Sequence, residues 1–315
     1  MMHLKLDYRF IAPLYRILRL ALLVVVLMGL ASIEVTAQDA KQQSGPSGTE
    51  HGTMGELGAK LANPLSDVWA LFTEFDWNFK KGDITDGSYK NGYAMLFQPV
   101  LPIPLTESWK LITRPVVPVI STEIPQLSAT GDIDFDRESG LGDIQLPLVF
   151  VPKAKEGSKW MWGAGPTFIF PTATNDDLGA EKWQAGPAVA LVYKTKKLTT
   201  GVFPQYWWDF AGWGDESTSG GALVYFYFYN LPQAWQIGTN PTIIYNNEAK
   251  PDNRWNVPIG LTVAKTTKIG KLPIKFQFGG EYSVLHEEDY GKRWQIKLNI
   301  IPVIPALFKN PIFGK

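Results

Sequence analysis

The chain has 315 residues and is formally neutral, with 30 Lys plus Arg against 30 Asp plus Glu, and 45% of its residues are hydrophobic. Neutrality without a basic block beyond the N-terminus excludes the electrostatic footprint of nucleic-acid binding. The absence of Cys excludes disulfides, thiolate zinc sites, cysteine nucleophiles and a lipidated N-terminal Cys. Three His leave little catalytic material, and a mean hydropathy of -0.07 argues against a bundle of membrane helices.

The first element is the apolar run LALLVVVLMGLAS at 20–32, with Lys5, Arg9, Arg16 and Arg19 before it and VTAQ after it. It falls short of the roughly 20 residues that span a bilayer as a helix. Residues 1–37 are therefore read as a secretory signal peptide, cut after Ala37. Residues 38–55 are polar and rich in Gly and Ser, a composition expected to stay flexible. ELGAKLANPLSD, 56–67, allows one or two helical turns before Pro64, so 38–67 reads as a linker with a short helix.

From Val68 the pattern changes and stays changed. Strand-like runs occupy roughly 68–80, 90–103, 108–120, 140–152, 159–171, 182–194, 198–211, 220–230, 233–246, 254–265, 272–286 and 292–304. There are twelve runs, and the gaps between them alternate between short turns and longer, more acidic loops such as 121–139 and 172–181. An even strand count with short turns at one end predicts an all-β, antiparallel up-and-down transmembrane barrel over 68–308, with a tail at 309–315. Both termini would lie on the short-turn, periplasmic side of the outer membrane.

KLPIKFQFGGEYSV, 271–284, shows the alternation well: Ile274, Phe276, Phe278, Tyr282 and Val284 take one face, Lys275, Gln277, Glu281 and Ser283 the other. Such a strand serves a soluble sandwich or, turned inside out, a membrane barrel. Trp placement separates the two. Trp109, Trp160 and Trp235 begin ascending runs, while Trp183, Trp255 and Trp294 begin descending ones, which predicts an aromatic girdle at each rim. Strand-start Trp that plug the ends of a soluble core are the alternative. Pro sits inside many runs, among them Pro99, Pro102, Pro115, Pro118, Pro166, Pro187, Pro241 and Pro258. Because Pro cannot donate to a ladder, bulges or opened ladders are expected at several of them.

ELGAKLANPLSDVWALFTEFDWNF, SGLGDIQLPLVF, WMWGAGPTFIFPTATNDDLGAEKWQAGPAVALVY and RWNVPIGLTVAKTTKIGKLPIKFQFGGEYSV resemble a family of bacterial outer-membrane barrels. It is the transporter-like family named for the MetA pathway of phenol degradation, whose members often carry the label neuromedin U. The resemblance covers about 56–308, and GPTFIFPTATNDDLGAEKW is its most specific piece. It implies an outer-membrane location and a transport role, and it carries no catalytic or ligand residues. The tail ALFKNPIFGK departs from the pattern, leaving Phe308 or Phe313 as the end of the last strand.

The polar faces supply candidate lumen-lining residues: Glu74, Asp76, Lys110, Arg114, Asp143, Asp209, Lys275, Glu281 and Lys297. A lining of both signs could select polar or amphipathic solutes, or cross-link a narrow interior into closed pairs. Asn175, Asp176, Asp177 and Glu181 are oxygen ligands by type, but their spacing matches no EF-hand loop, so no metal and no cofactor is expected. Ser283 and His286 fall on opposite faces of their strand, which argues against a nucleophile and base, hence against an enzyme. The aromatic clusters YWWDFAGW (206–213) and YFYFY (225–229) are read as facing lipid. The expected partners are outer-membrane lipid, the barrel-assembly machinery and an unidentified small solute, with no nucleic acid. The favoured function is a porin-like channel or transporter, possibly for hydrophobic or aromatic small molecules. The alternatives are a sealed structural or adhesive barrel and a soluble carbohydrate-binding β-protein.

Overall fold

A computed structural model describes residues 54–214 and 216–313. The signal peptide and the part of the linker before residue 54 lie outside the described residues.

Among the described residues one α-helix, α1 (Met54–Leu61), precedes fifteen strands: β1 (Ala70–Lys81), β2 (Lys90–Pro104), β3 (Trp109–Thr113), β4 (Val117–Leu127), β5 (Ile133–Leu141), β6 (Ile144–Pro152), β7 (Trp160–Phe170), β8 (Lys182–Lys194), β9 (Leu198–Gly212), β10 (Ser219–Asn230), β11 (Trp235–Thr239), β12 (Thr242–Asn246), β13 (Trp255–Ile269), β14 (Leu272–Leu285) and β15 (Gly291–Pro302). Three pairs are halves of interrupted staves. β3 and β4 both pair with β2, β5 and β6 continue one another beside them, and β11 and β12 both lie between β10 and β13. Fifteen segments thus make twelve antiparallel staves. β1 pairs with β15 on one side (Thr73↔Ile300) and with β2 on the other (Thr73↔Phe97), which closes the barrel. Closure removes the unpaired edges that a bilayer does not tolerate.

Two of the three interruptions sit at expected prolines. The third stave opens between Thr113 and Val117, at Pro115, and the ninth opens at Asn240 and Pro241. The β13–β14 register also shifts between Val257 and Pro258. Pro99, Pro102 and Pro118 stay inside paired register, facing Leu71, Ile112 and Leu96. The gap at 121–139 is not the open loop expected from its polarity. β4 and β5 continue as a hairpin from Val119↔Leu141 to Leu127↔Ile133, projecting beyond the neighbouring staves. Ile133 and Phe135 alternate there with Asp134 and Asp136, a two-residue period hidden by the acidic composition.

β14 settles which way the barrel faces. Lys275, Gln277, Glu281 and Ser283 are buried at 0%, 3%, 3% and 2% exposure, while Phe278 and Val284 are 43% and 48% exposed. The polar side is the inside and the large apolar side is the outside, the arrangement a membrane barrel requires. β15 ends at Pro302, short of both candidate phenylalanines. The tail then folds along the short-turn rim: Ile304 N donates to Trp69 O, and Ile312 N and Phe313 N donate to Pro104 O and Leu105 O.

Candidate functional site

The interior divides into an apolar floor at the short-turn end and a polar middle. The floor arises where strands lose their alternation. In β6, Val149 and Val151 turn inward, and Ile112, Ala190, Val192, Phe226 and Phe228 join them from β3, β8 and β10. A bare apolar floor would face water. Residues 54–67 cover it.

α1 lies against β13, β14 and the short turn at 232–234, and the chain then crosses the bore so that Ala62 and Leu65 pack on Ile112, Val149 and Val151. Leu65 is 1% exposed; burying a leucine fully stabilises by about 1.5–3 kcal/mol. Gly58 permits the approach, since a Cβ there would meet Thr266 Oγ1 at 2.6 Å. Two lysines from the wall clamp backbone carbonyls of the segment. Lys275 Nζ donates at 3.2 Å to Gly58 O, a carbonyl of the last turn of α1 that also accepts from Ala62 N at 3.1 Å. Lys110 Nζ donates to Leu65 O at 2.8 Å and also pairs with Asp67. The segment expected as a linker with a short helix is therefore a docked stopper.

Above it the polar middle is cross-linked. Lys297 pairs with Glu281 at 2.8 Å, and Asn299 Nδ2 donates to Gln277 Oε1 at 3.2 Å. Glu74 and Asp76 face the same cluster from β1 and are 8% and 6% exposed. Across the bore, Gln145 Nε2 and Thr167 Oγ1 both donate to Gln205 Oε1, and Trp207 Nε1 donates to Thr167 Oγ1 at 3.1 Å. Among the buried charges of this middle, Lys297 and Glu281 form the ion pair, and breaking a buried pair by removing one partner is strongly destabilising.

The expected lining residues thus fall into three groups. Glu74, Asp76, Glu281 and Lys297 gather in the polar middle, while Lys110 and Lys275 hold the stopper and Arg114 stands above it. Asp143 and Asp209 are turned to outer loops. Asp143 accepts from the amides of Thr172, Ala173 and Ala180, and Asp209 accepts from that of Thr218. Lys292, which donates to Gln295 Oε1 at 2.6 Å, is a member of the middle that alternation alone did not single out.

The aromatic clusters split between the two faces. Phe226, Phe228 and Trp207 are buried inside at 5%, 2% and 7%, against the expectation of lipid-facing clusters, whereas Trp208 and Tyr227 are outside at 51% and 46%. The same two-residue period that sorts Tyr from Phe in YFYFY is invisible when both partners are aromatic. Trp109, Trp160 and Trp235 stand at the short-turn ends of their staves, and Trp183, Trp255 and Trp294 at the long-loop ends; all but the half-buried Trp235 are exposed on the outer wall.

Asn175 donates to Glu138 and caps Asp177 N, and Glu181 accepts from Trp213 Nε1. Among the described residues no group of three or more His, Asp or Glu is arranged to hold a metal ion. Ser283 Oγ accepts from Asn256 Nδ2 at 3.0 Å, and His286 Nδ1 lies 2.8 Å from Glu287 O, so no hydrogen bond joins Ser283 to His286.

No protein-family model and no curated sequence matches the chain. Among solved structures it is similar to an outer membrane channel from Pseudomonas putida F1, at TM-score 0.52 and 16% identity over 82% of this chain and 100% of that one. The protein is an outer-membrane β-barrel. Weaker likenesses include the NanC porin (TM-score 0.44, 11% identity, 74% of this chain and 99% of that one) and the outer membrane phospholipase A from Escherichia coli (TM-score 0.40, 11% identity, 79% and 99%).

Proposed function

We propose that the barrel is a porin-like channel for small hydrophobic or aromatic molecules, held shut at its periplasmic end by residues 54–67. The observation that carries this reading is how the stopper is held. It sits in the lumen by apolar contact, one ion pair and a handful of hydrogen bonds, and is joined to β1 through the chain at Val68. Removing it leaves a bore floored by phenylalanine, valine and isoleucine, a surface suited to apolar solutes. The chemistry proposed is passage, with no catalytic step.

Single-channel recording in planar bilayers tests it, comparing the folded chain with one lacking 54–67. Small or rare current steps that grow several-fold on deletion, together with faster entry of toluene into liposomes, are expected. Insertion of the deleted form with no rise in either quantity would leave a sealed structural barrel as the better reading.

A further inference from the structure

Between the 61–68 segment and the wall lies a cavity of about 90 Å³. Its walls are mostly apolar, with Phe72, Val100, Phe203, Phe226 and Ile301 among them, and Asn63, Ser66 and Gln277 also line it. At about 30 Å³ per water it has room for about three water-sized groups, the size of a short-chain acid such as propionate.

Two polar groups without partners face this apolar space. Arg114 Nε is buried and makes no hydrogen bond, and Arg114 takes part in none of the ion pairs among the described residues. Its guanidinium lies over the Phe72 ring, 4.3 Å from the centroid, which fixes the plane of the fork and leaves its edge free. Glu74 is the carboxylate whose charge acts on it, from beyond ion-pair distance. Asn240 Oδ1 is likewise buried and unpaired, on the opposite side of the barrel. Both residues directly precede the proline that opens their stave, Pro115 and Pro241, so both stand where the ladder is broken and face one cavity.

A fixed guanidinium in an apolar chamber is unfavourable when empty and favourable when a carboxylate meets it through two parallel N–H bonds. A half-turn of the Asn240 carboxamide exchanges Oδ1 for Nδ2 and offers a second donor to the same anion. We propose that this cavity binds a small monocarboxylate with an apolar body, its charge read by Arg114 and Asn240 and its body by the phenylalanines. The assignment rests on the channel reading above and narrows its solute class.

The test is saturation-transfer NMR on the folded chain in detergent micelles, with propionate as the probe and neutral propionamide as the isostere. Saturable propionate binding, weakened tenfold or more by Arg114→Met and less by Arg114→Lys, is expected, with propionamide little changed. Equal binding of the two probes, or propionate binding indifferent to Arg114→Met, overturns the site. If Arg114→Met fails to show the heat-modifiable migration of a folded barrel, Phe203→Trp fills the cavity with Arg114 intact and must abolish propionate binding; persistence overturns the proposal. Toluene entry through the stopper-deleted barrel without propionate binding removes this site and leaves the channel standing. Propionate bound at Arg114 in a barrel that passes nothing does the reverse.

Discussion

Lys275 on β14, 0% exposed, donates from Nζ to the backbone carbonyl of Gly58 at 3.2 Å and stands 4.9 Å from the centre of the Phe228 ring. No acidic side chain pairs with it among the described residues. Its charge is therefore satisfied largely by the stopper itself. A hydrogen bond from a charged donor contributes about 1.5–3 kcal/mol, and Lys275→Met keeps most of the volume while removing it. The barrel should fold and resist heat at least as well as the parent, since an unpaired buried charge is lost. The stopper should leave more often, raising open probability in planar bilayers about tenfold or more. Recordings indistinguishable from the parent would remove Lys275 as the latch.

Gly58 carries the complementary prediction from the helix side. Valine at this position meets Thr266, and α1 must back away from the wall. Overpacking of this kind costs about 1–3 kcal/mol. Trypsin cleavage after Lys60, an exposed residue of α1, should then run about tenfold or more faster in Gly58→Val than in the parent, with the barrel's heat-modifiable migration intact. Equal cleavage rates would mean that the helix does not depend on this close approach.

The barrel was legible in the sequence because lipid outside and polar groups inside impose a strict period of two, as at Phe276, Gln277 and Phe278. The stopper was not, because its seat breaks that period. LPLVFV in β6 is apolar on both faces, and nothing in the string marks Val149 and Val151 as inward and Leu148 and Phe150 as outward. The docking partners are no easier to see. Lys275 and Lys110 grip main-chain carbonyls, which have no side-chain signature. Of the nine lining candidates, Asp143 lies in the break between β5 and β6 and Asp209 near the end of β9, where a carboxylate finds loop amides closer than the bore. Only the fold reveals that Arg114 and Asn240, 126 positions apart in the sequence, face one chamber.

The Trp positions make a prediction about lipid contact. Trp160 and Trp183 are 55% and 41% exposed on the outer wall, at opposite ends of the paired staves β7 and β8. Indole rings favour the headgroup region, so both should be quenched by bromine placed high on the lipid chains and weakly by bromine near the bilayer centre. Single-Trp variants in brominated vesicles give the depth of each. Stronger quenching by aqueous iodide than by either lipid would remove these two residues from the membrane girdles.

The outer end carries a pH prediction. Tyr290, in the turn before β15, donates its hydroxyl to Glu123 O at 2.7 Å and packs on Phe135, with ring centres 5.4 Å apart. These contacts fasten the projecting β4–β5 hairpin, helped by the Arg137–Glu123 pair at 2.8 Å. Burial, then the Glu123 charge, pushes the Tyr290 phenol up to about 12 from 10.0. A group raised on folding holds extra protons in the folded state, so its stabilising contribution is complete below about pH 10 and lost as pH rises toward 12. Hairpin amides should therefore exchange faster across that window, and ultraviolet titration should show a late-ionising component near pH 12 that is lost in Tyr290→Phe. Tyr290→Phe should also remove the pH dependence of the exchange, because the ring contact with Phe135 survives while the ionisable donor does not. A hairpin whose exchange follows only the intrinsic base-catalysed rate in both proteins would show that Tyr290 does not fasten it.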